Sequence, residues 1–233
     1  MIGNVRLRIQ NFFASIAFLS LQVTVILGLF AGAMISFIFL AKMVFAGKKQ
    51  MIDQLMFEFL SRHINRFNTD VMEFFTFLGT HKFLIPANLL LILYFLFIKK
   101  HKWYSIKVPV VALSSLLLMT FLKVFFHRDR PSDPLIGEAE GFSFPSGHAL
   151  MSVTFYGLLI YILSKNNISK PLKHLLIILM VFLILCIGLS RVYLRYHFAT
   201  DVIAGYCVGT MWLIVSLWVL SRIEKYGSHQ KVE

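Results

Sequence analysis

The sequence predicts an all-α, polytopic membrane protein, a six-transmembrane-helix bundle with an amphipathic interfacial helix between spans one and two. Three observations carry that prediction. The apolar share is 58% and mean hydropathy is +0.76, where soluble domains hold roughly 45–50% apolar residues. These residues are gathered into long runs, and a bilayer span needs roughly 20 in succession. The period-2 alternation of a membrane β-barrel is absent from the runs, which leaves helices as the spanning structure.

The first run extends from Ile16 to about Phe45, behind Arg6 and Arg8. A secretory signal also places cations before an apolar core, and Ala31-Gly32-Ala33 resembles a cleavage site. The run far exceeds the roughly 7–15 residues of a signal core, so an uncleaved first span is expected. From Met51 to Phe67 the pattern changes. Met51, Ile52, Leu55, Met56, Phe59, Leu60, Ile64 and Phe67 recur at helical spacing, with Asp53, Gln54, Glu58, Ser61, Arg62 and Arg66 on the other face. This predicts an amphipathic helix in the interface plane, with packing on the bundle alone as the other outcome.

The second span is about Phe83–Ile98. It contains Pro86 and follows a helical piece at Val71–Leu78 across Gly79-Thr80-His81-Lys82, so the two pieces could form one broken helix. The remaining spans are Ile106–Phe126, Ala149–Leu163, Leu172–Leu189 and Ala199–Leu220. No linker, low-complexity tract or repeat divides the chain. Residues 1–233 are therefore expected to form a single integral-membrane domain.

Lys and Arg number 23 against 11 Asp and Glu, a net charge of +12. No nucleic-acid motif accompanies this charge, so nucleic acid is excluded as a partner. The cations collect in short segments between spans, as in loops that face anionic lipid. Six spans place Arg6, Arg8, Lys99, Lys100, Lys102, Lys107, Lys165, Lys170, Lys173, Arg222, Lys225 and Lys231 on one side, with Glu224 and Glu233. That side is expected to be cytoplasmic and to hold both termini. Lys48, Lys49, Arg62 and Arg66 weaken the bias, although Asp53, Glu58, Asp70 and Glu73 offset them. Cys186 and Cys207 lie inside apolar runs without a CxxC neighbour, which suits packing.

Three polar clusters interrupt the apolar chain: Lys123-x6-Arg130-Pro131, Pro145-Ser146-Gly147-His148, and Ser190-Arg191-x5-His197-x3-Asp201. The first two lie between spans three and four and the third between spans five and six, so all three return to one face. Together they hold the parts of a metal-free phosphoryl-transfer site: cations for the non-bridging oxygens, two imidazoles and a carboxylate. Asp201 follows His197 at i+4, and on a helix it would accept a hydrogen bond from one ring nitrogen and leave the other free to attack. His197 is thus the candidate nucleophile, and His148, without such a partner, is the candidate general acid. Ser146 suits a helix N-cap and Gly147 a close backbone approach to phosphate. Lys123, Arg130 and Arg191 supply the clamp, although Lys123 alone could be snorkelling to the interface. His63, His81, His101, His127, His174 and His229 fall in no cluster and are expected at the surface or the membrane interface.

The clusters and their order resemble the signature of the type 2 phosphatidic acid phosphatase superfamily, over roughly the C-terminal half of the chain. The resemblance implies a compact helical core, vanadate sensitivity and catalysis without metal or other cofactor. It assigns phosphate binding to Lys123, Arg130, Ser146, Gly147 and Arg191, and catalysis to His148, His197 and Asp201. Arg128 and Arg195 are not marked by the family pattern. The implied activity is hydrolysis of a lipid phosphate at the outer face of the plasma membrane through a phosphohistidine. Phosphatidylglycerophosphate is the first expectation, then undecaprenyl pyrophosphate or a broad range including phosphatidic acid. The implied partners are lipids, with no obligatory protein partner. The Met51–Phe67 helix would guide acyl chains to the site. Two other readings exist. A metal at His148, His197 and Asp201 would be repelled by the three cations, and a lipid or ion transporter would bind nearer the midplane than these helix ends.

Overall fold

The computed structural model describes residues 2–46 and 51–229, and the side chains of 21–46 and 51–227. Lys48, Lys49, Lys231 and Glu233 lie outside the described residues, as do the side chains of Arg6, Arg8 and His229. Every regular element described is helical: α1 (Ile2–Phe45), α2 (Met51–Ser61), α3 (Arg66–Leu78), α4 (His81–Leu93), α5 (Lys102–Phe126), α6 (Gly147–Lys165), α7 (Lys170–Tyr193) and α8 (Ala199–His229). A π-helical turn, Tyr94–Ile98, prolongs α4. Among the described residues, six helices are long and apolar enough to span a bilayer: Leu21–Phe45, His81–Ile98, Lys102–Phe126, Gly147–Lys165, Lys170–Tyr193 and Ala199–Gly227. The expected number and order of spans hold, and spans two to six extend beyond the apolar runs at one end or both.

Burial decides which helix is central. In its most apolar window α6 is 56% buried, while the corresponding window of α1 is 6% buried. α6 packs against α5, α7 and α8, while α1 leans on α8 and α4 on α5. Outward residues such as Leu117, Ile178, Phe97 and Phe39 stay exposed. So extensive an apolar exterior suits lipid rather than water. Polar residues on the central helix are paired locally: Ser152 Oγ and Thr154 Oγ1 donate to the carbonyls of Ala149 and Met151.

α6 and α8 meet at the closest quarters. A Cβ added at Gly205 would stand 2.6 Å from the Ser146 carbonyl oxygen, and one at Gly209 would stand 2.9 Å from that of Leu150. These glycines are four apart on one face of α8, the small-xxx-small spacing that lets membrane helices approach. At the far end of α5, Lys107 is buried and its Nζ lies 2.6 Å from Glu224 Oε2 of α8. Lys107 is therefore an internal tie rather than a free loop charge.

The amphipathic segment differs from its sequence pattern in two respects. The helix ends at Ser61, and Asn65 starts α3 by accepting a hydrogen bond from Asn68 N–H. An N-cap side chain of this kind satisfies an otherwise orphaned helix donor, so one run becomes two helices. The inward face also carries a charge. Asp53 is buried, with Leu60 on the same face and Met56 and Phe57 packed against the core. Met51, Ile52, Leu55 and Phe59 remain exposed on the outer face, where they can meet lipid. α3 and α4 are separate helices, with the break at Gly79 and Thr80. A Cβ at Gly79 would meet Ile187 at 2.6 Å and the His148 ring at 3.2 Å, so this corner is packed directly onto the site.

Candidate functional site

Alternating helix direction brings the three clusters to one end of the bundle. Lys123 closes α5, Ser146 and Gly147 open α6, Arg191 closes α7 and Asp201 opens α8. Backbone bonds stitch these ends together. Ser146 N–H donates to the Asp201 carbonyl at 2.9 Å, and Tyr196 and His197 N–H donate to the Arg191 carbonyl. The segment between α5 and α6 folds over the same end, where Leu135 N–H reaches the Leu194 carbonyl and Tyr196 hydroxyl donates to the Ile136 carbonyl.

Loop carbonyls aim the cations. Lys123 Nζ donates to the Phe142 carbonyl at 2.9 Å, so it turns toward the loop instead of snorkelling outward. Arg130 Nε donates to the Gly141 carbonyl and its Nη1 to the Tyr196 carbonyl, both at 2.9 Å. Arg191 is buried with its guanidinium 4.1 Å from the Tyr196 ring centroid. Burial of half-exposed Arg130 among these groups holds its pKa below the usual arginine value.

Among the described residues, three buried polar atoms have no hydrogen-bond partner: Ser146 Oγ, His148 Nε2 and Arg191 Nε. Ser146 is the N-cap of α6 as expected, yet its hydroxyl makes no capping bond. Buried groups of this kind are nearly always paired, and an unpaired set calls for a ligand that can pair with them. A phosphoryl group at a helix N-terminus among cations has the matching acceptors.

His197 departs from the expected arrangement. It precedes α8, so it does not share a helical face with Asp201. The distance from His197 Nδ1 to Asp201 Oδ2 is 3.7 Å, too long for a hydrogen bond. Ser143 stands between them. Its hydroxyl donates to Asp201 Oδ2 at 2.5 Å, and its Oγ lies 3.2 Å from His197 Nδ1. A hydroxyl that donates to the carboxylate must accept from Nδ1–H, which leaves Nε2 as the lone-pair nitrogen. Asp201 also accepts from Phe198 N–H at 2.9 Å, the return arm of a capping box. Burial first, and then the charges of Arg130, Arg191 and Lys123, push the His197 pKa well below its ordinary 6.5. The ring is held neutral.

Sequence reasoning missed Ser143, Arg128 and Asp53. Arg128 donates through Nη1 to Asp201 Oδ1, and through Nη2 to Asp53 Oδ2 at 2.9 Å. Their separation in the chain hid these pairs, although Ser143 lies within two residues of a signature motif.

A groove of about 620 Å³ leads from the site down the bundle between α4, α5 and α6. Lys123, Arg130, Gly147, His148 and His197 form its polar head, and Leu84, Leu89, Ile92, Leu113, Leu116 and Met151 form an apolar wall. His81 also borders the groove and stays exposed, in keeping with the surface position expected. None of the lining comes from α2.

A helical membrane bundle with a cationic, imidazole-bearing head on an apolar groove has the form of a lipid phosphatase. Comparison with known proteins makes the assignment specific. Residues 104–225 match the PAP2 superfamily, the type 2 phosphatidic acid phosphatase group, and the chain belongs to it. Over 145 residues it is 37% identical to phosphatidylglycerophosphatase B of Bacillus subtilis, covering 61% of this chain and 70% of that protein. The crystal structure of a transmembrane PAP2-type phosphatidylglycerolphosphate phosphatase from Bacillus subtilis superposes with a TM-score of 0.76 at 26% identity, covering 83% of this chain and 96% of that one. The crystal structure of Aquifex aeolicus LpxE gives a TM-score of 0.55 at 25% identity, covering 70% and 93%. The chain is a multi-pass membrane enzyme of the lipid phosphatase class.

Proposed function

We propose that this chain removes the terminal phosphate of phosphatidylglycerophosphate to give phosphatidylglycerol, at the outer face of the plasma membrane and within one integral-membrane domain. The observation that carries phosphate recognition is the trio of unpartnered buried atoms, Ser146 Oγ, His148 Nε2 and Arg191 Nε, among Lys123, Arg130 and the Gly147 backbone. Attached to an apolar groove, such a head suits a phosphate on a lipid tail. The relative from Bacillus subtilis named phosphatidylglycerophosphatase B favours this particular lipid. Orientation follows from charge: Lys99, Lys100, Lys102, Lys165, Lys170, Lys173 and Arg222 lie at the end of the bundle opposite the site. By the positive-inside rule that end is cytoplasmic, with both termini. A transporter is disfavoured because the ionisable groups gather at helix ends instead of mid-depth.

In the first step His197 Nε2 attacks phosphorus and the bond to the glycerol oxygen breaks. In the role of general acid, His148 gives a proton to the leaving oxygen. Lys123, Arg130 and Arg191 neutralise charge on the non-bridging oxygens, so no metal is required for that purpose. In the second step His148 takes a proton from water, the water oxygen attacks phosphorus and the P–N bond breaks. Phosphate leaves and His197 returns to its neutral form.

The test is turnover of the purified full chain on phosphatidylglycerophosphate, undecaprenyl pyrophosphate and phosphatidic acid, with an acid quench after radiolabelled substrate. The expected result is the highest kcat/KM on phosphatidylglycerophosphate and an acid-labile, base-stable label that His197→Ala abolishes. Higher kcat/KM on undecaprenyl pyrophosphate overturns the substrate assignment. Label on another residue overturns the role of His197.

A further inference from the structure

We propose that Arg128 and Asp53 are positioning residues: a buried Asp53–Arg128–Asp201 array fixes the carboxylate that orients His197 and ties it to the interfacial helix α2. This rests on the reading of Asp201 as the orienting group and adds two residues that the signature does not contain.

The geometry is complete at every link. Helix α5 ends at His127 in a left-handed conformation, φ 47°, which turns the chain inward at Arg128. Arg128 then lies buried, with its guanidinium 4.1 Å from the Phe198 ring centroid, beside His197. Its Nη1 donates to Asp201 Oδ1 and, at 2.8 Å, to Thr200 Oγ1, while Nη2 donates to Asp53 Oδ2 at 2.9 Å. Asp53 in turn accepts from Thr200 N–H at 2.9 Å and from Thr200 Oγ1 at 2.8 Å. The Arg128 backbone also takes part, because its carbonyl accepts from Ser143 N–H at 2.7 Å. One residue thus holds both Asp201 and the serine that relays it to His197.

Charge and burial give this array its effect. Asp53 and Asp201 are 1% and 0% exposed, and one arginine is shared between them. Two buried carboxylates without that cation would repel each other and break the geometry. With it, the planar fork fixes Asp201 Oδ1 and leaves Oδ2 for Ser143 and Phe198 N–H. Arg128 does not line the groove, whereas Lys123 and Arg130 do, so its charge is committed to the carboxylates and not to phosphate. Asp53 is the one buried charge on α2, whose opposite face is apolar and exposed, and through it the lipid-facing helix is bonded to the start of α8.

The experiment is a double-mutant cycle in the full-length protein, with Asp53→Asn, Asp201→Asn and the pair, and with dioleoyl phosphatidic acid as substrate. Asp53→Asn keeps the shape and an acceptor, and is expected to lower kcat about tenfold to a hundredfold, as loss of a group that orients a metal-ligating histidine does. KM and vanadate inhibition should stay within about threefold, since no residue on phosphate is touched. In the Asp201→Asn background the same change should have no further effect, because Asp53 acts through Asp201. Arg128→Lys should retain more activity than Arg128→Gln. An equal loss from Asp53→Asn in both backgrounds, or a kcat within twofold of the parent, overturns the inference. If Asp201→Asn itself leaves kcat intact, the reading of Asp201 fails first, so the two failures are separable. Should Arg128→Gln not fold, the isosteric cycle decides alone.

Discussion

At the residue scale the site turns on how one imidazole is kept neutral and aimed. His197 and Asp201 were legible from their spacing, but the bond expected between them is replaced by a relay through Ser143. Ser143→Ala should remove the acceptor for Nδ1–H and free the ring to adopt the other tautomer. The expected outcome is a kcat lower by about tenfold to a hundredfold, with the thermal midpoint unchanged in detergent. An unaltered kcat would show that Asp201 fixes His197 without the serine. The depressed pKa of His197 gives a second prediction. The nucleophile role proposed for His197 needs the neutral ring, so the acid limb of kcat/KM should fall well below pH 6.5, because burial and then Arg130, Arg191 and Lys123 favour that form. Arg130→Gln removes one of those charges, raises the His197 pKa and should move the limb to higher pH as well as weaken binding. A limb that stays in place would mean Arg130 acts on phosphate alone. Arg128 was passed over because its partners, Asp53 and Asp201, lie 75 and 73 residues away in the chain. A charge pair at that distance has no local signal.

At the scale of elements, helix identity was legible wherever apolar length decided it, and helix ends were not. Spans one to six appear in order because hydropathy over about 20 residues is a strong signal. The division of Met51–Phe67 depended on one capping contact, Asn65 to Asn68, which an apolar period cannot reveal. The orientation of α2 was also hidden, since Asp53 reads as a polar-face residue until Arg128 is seen beneath it. The close join between α6 and α8 rests on Gly205 and Gly209, whose spacing went unread in the sequence because an apolar run hides it. It matters for function because Gly205 lies against the Ser146 carbonyl, one residue from Gly147. Gly205→Ala would drive a methyl group into that backbone, and overpacking of this kind costs about 1–3 kcal/mol. The expected outcome is a lower thermal midpoint together with weaker vanadate inhibition, as the start of α6 is displaced. A variant with a lower midpoint and unchanged vanadate affinity would separate helix packing from the phosphate site.

At the scale of the whole molecule, an apolar groove leads to the polar head, and the lipid proposed as substrate would lay its tail along it. The groove runs between α4, α5 and α6, where Leu84, Ile92, Leu113 and Leu116 offer apolar wall to a lipid tail. Leu116 lies seven residues before Lys123 on α5, about 10 Å along a helix axis, so it can meet a tail without meeting phosphate. Leu116→Trp should therefore narrow the groove below the site. Loss of contact with two buried methylenes at about 0.8 kcal/mol each corresponds to roughly a tenfold change. The expected outcome is a kcat/KM lower by about that factor on dioleoyl phosphatidic acid, with turnover of a short-chain soluble phosphomonoester within twofold of the parent. Leu117→Trp is the control, because Leu117 is 72% exposed and does not line the groove. It should leave both substrates unaffected. Equal losses on the two substrates from Leu116→Trp, or a matching loss from Leu117→Trp, would mean that the groove wall supports the bundle and that tails approach the site by another path.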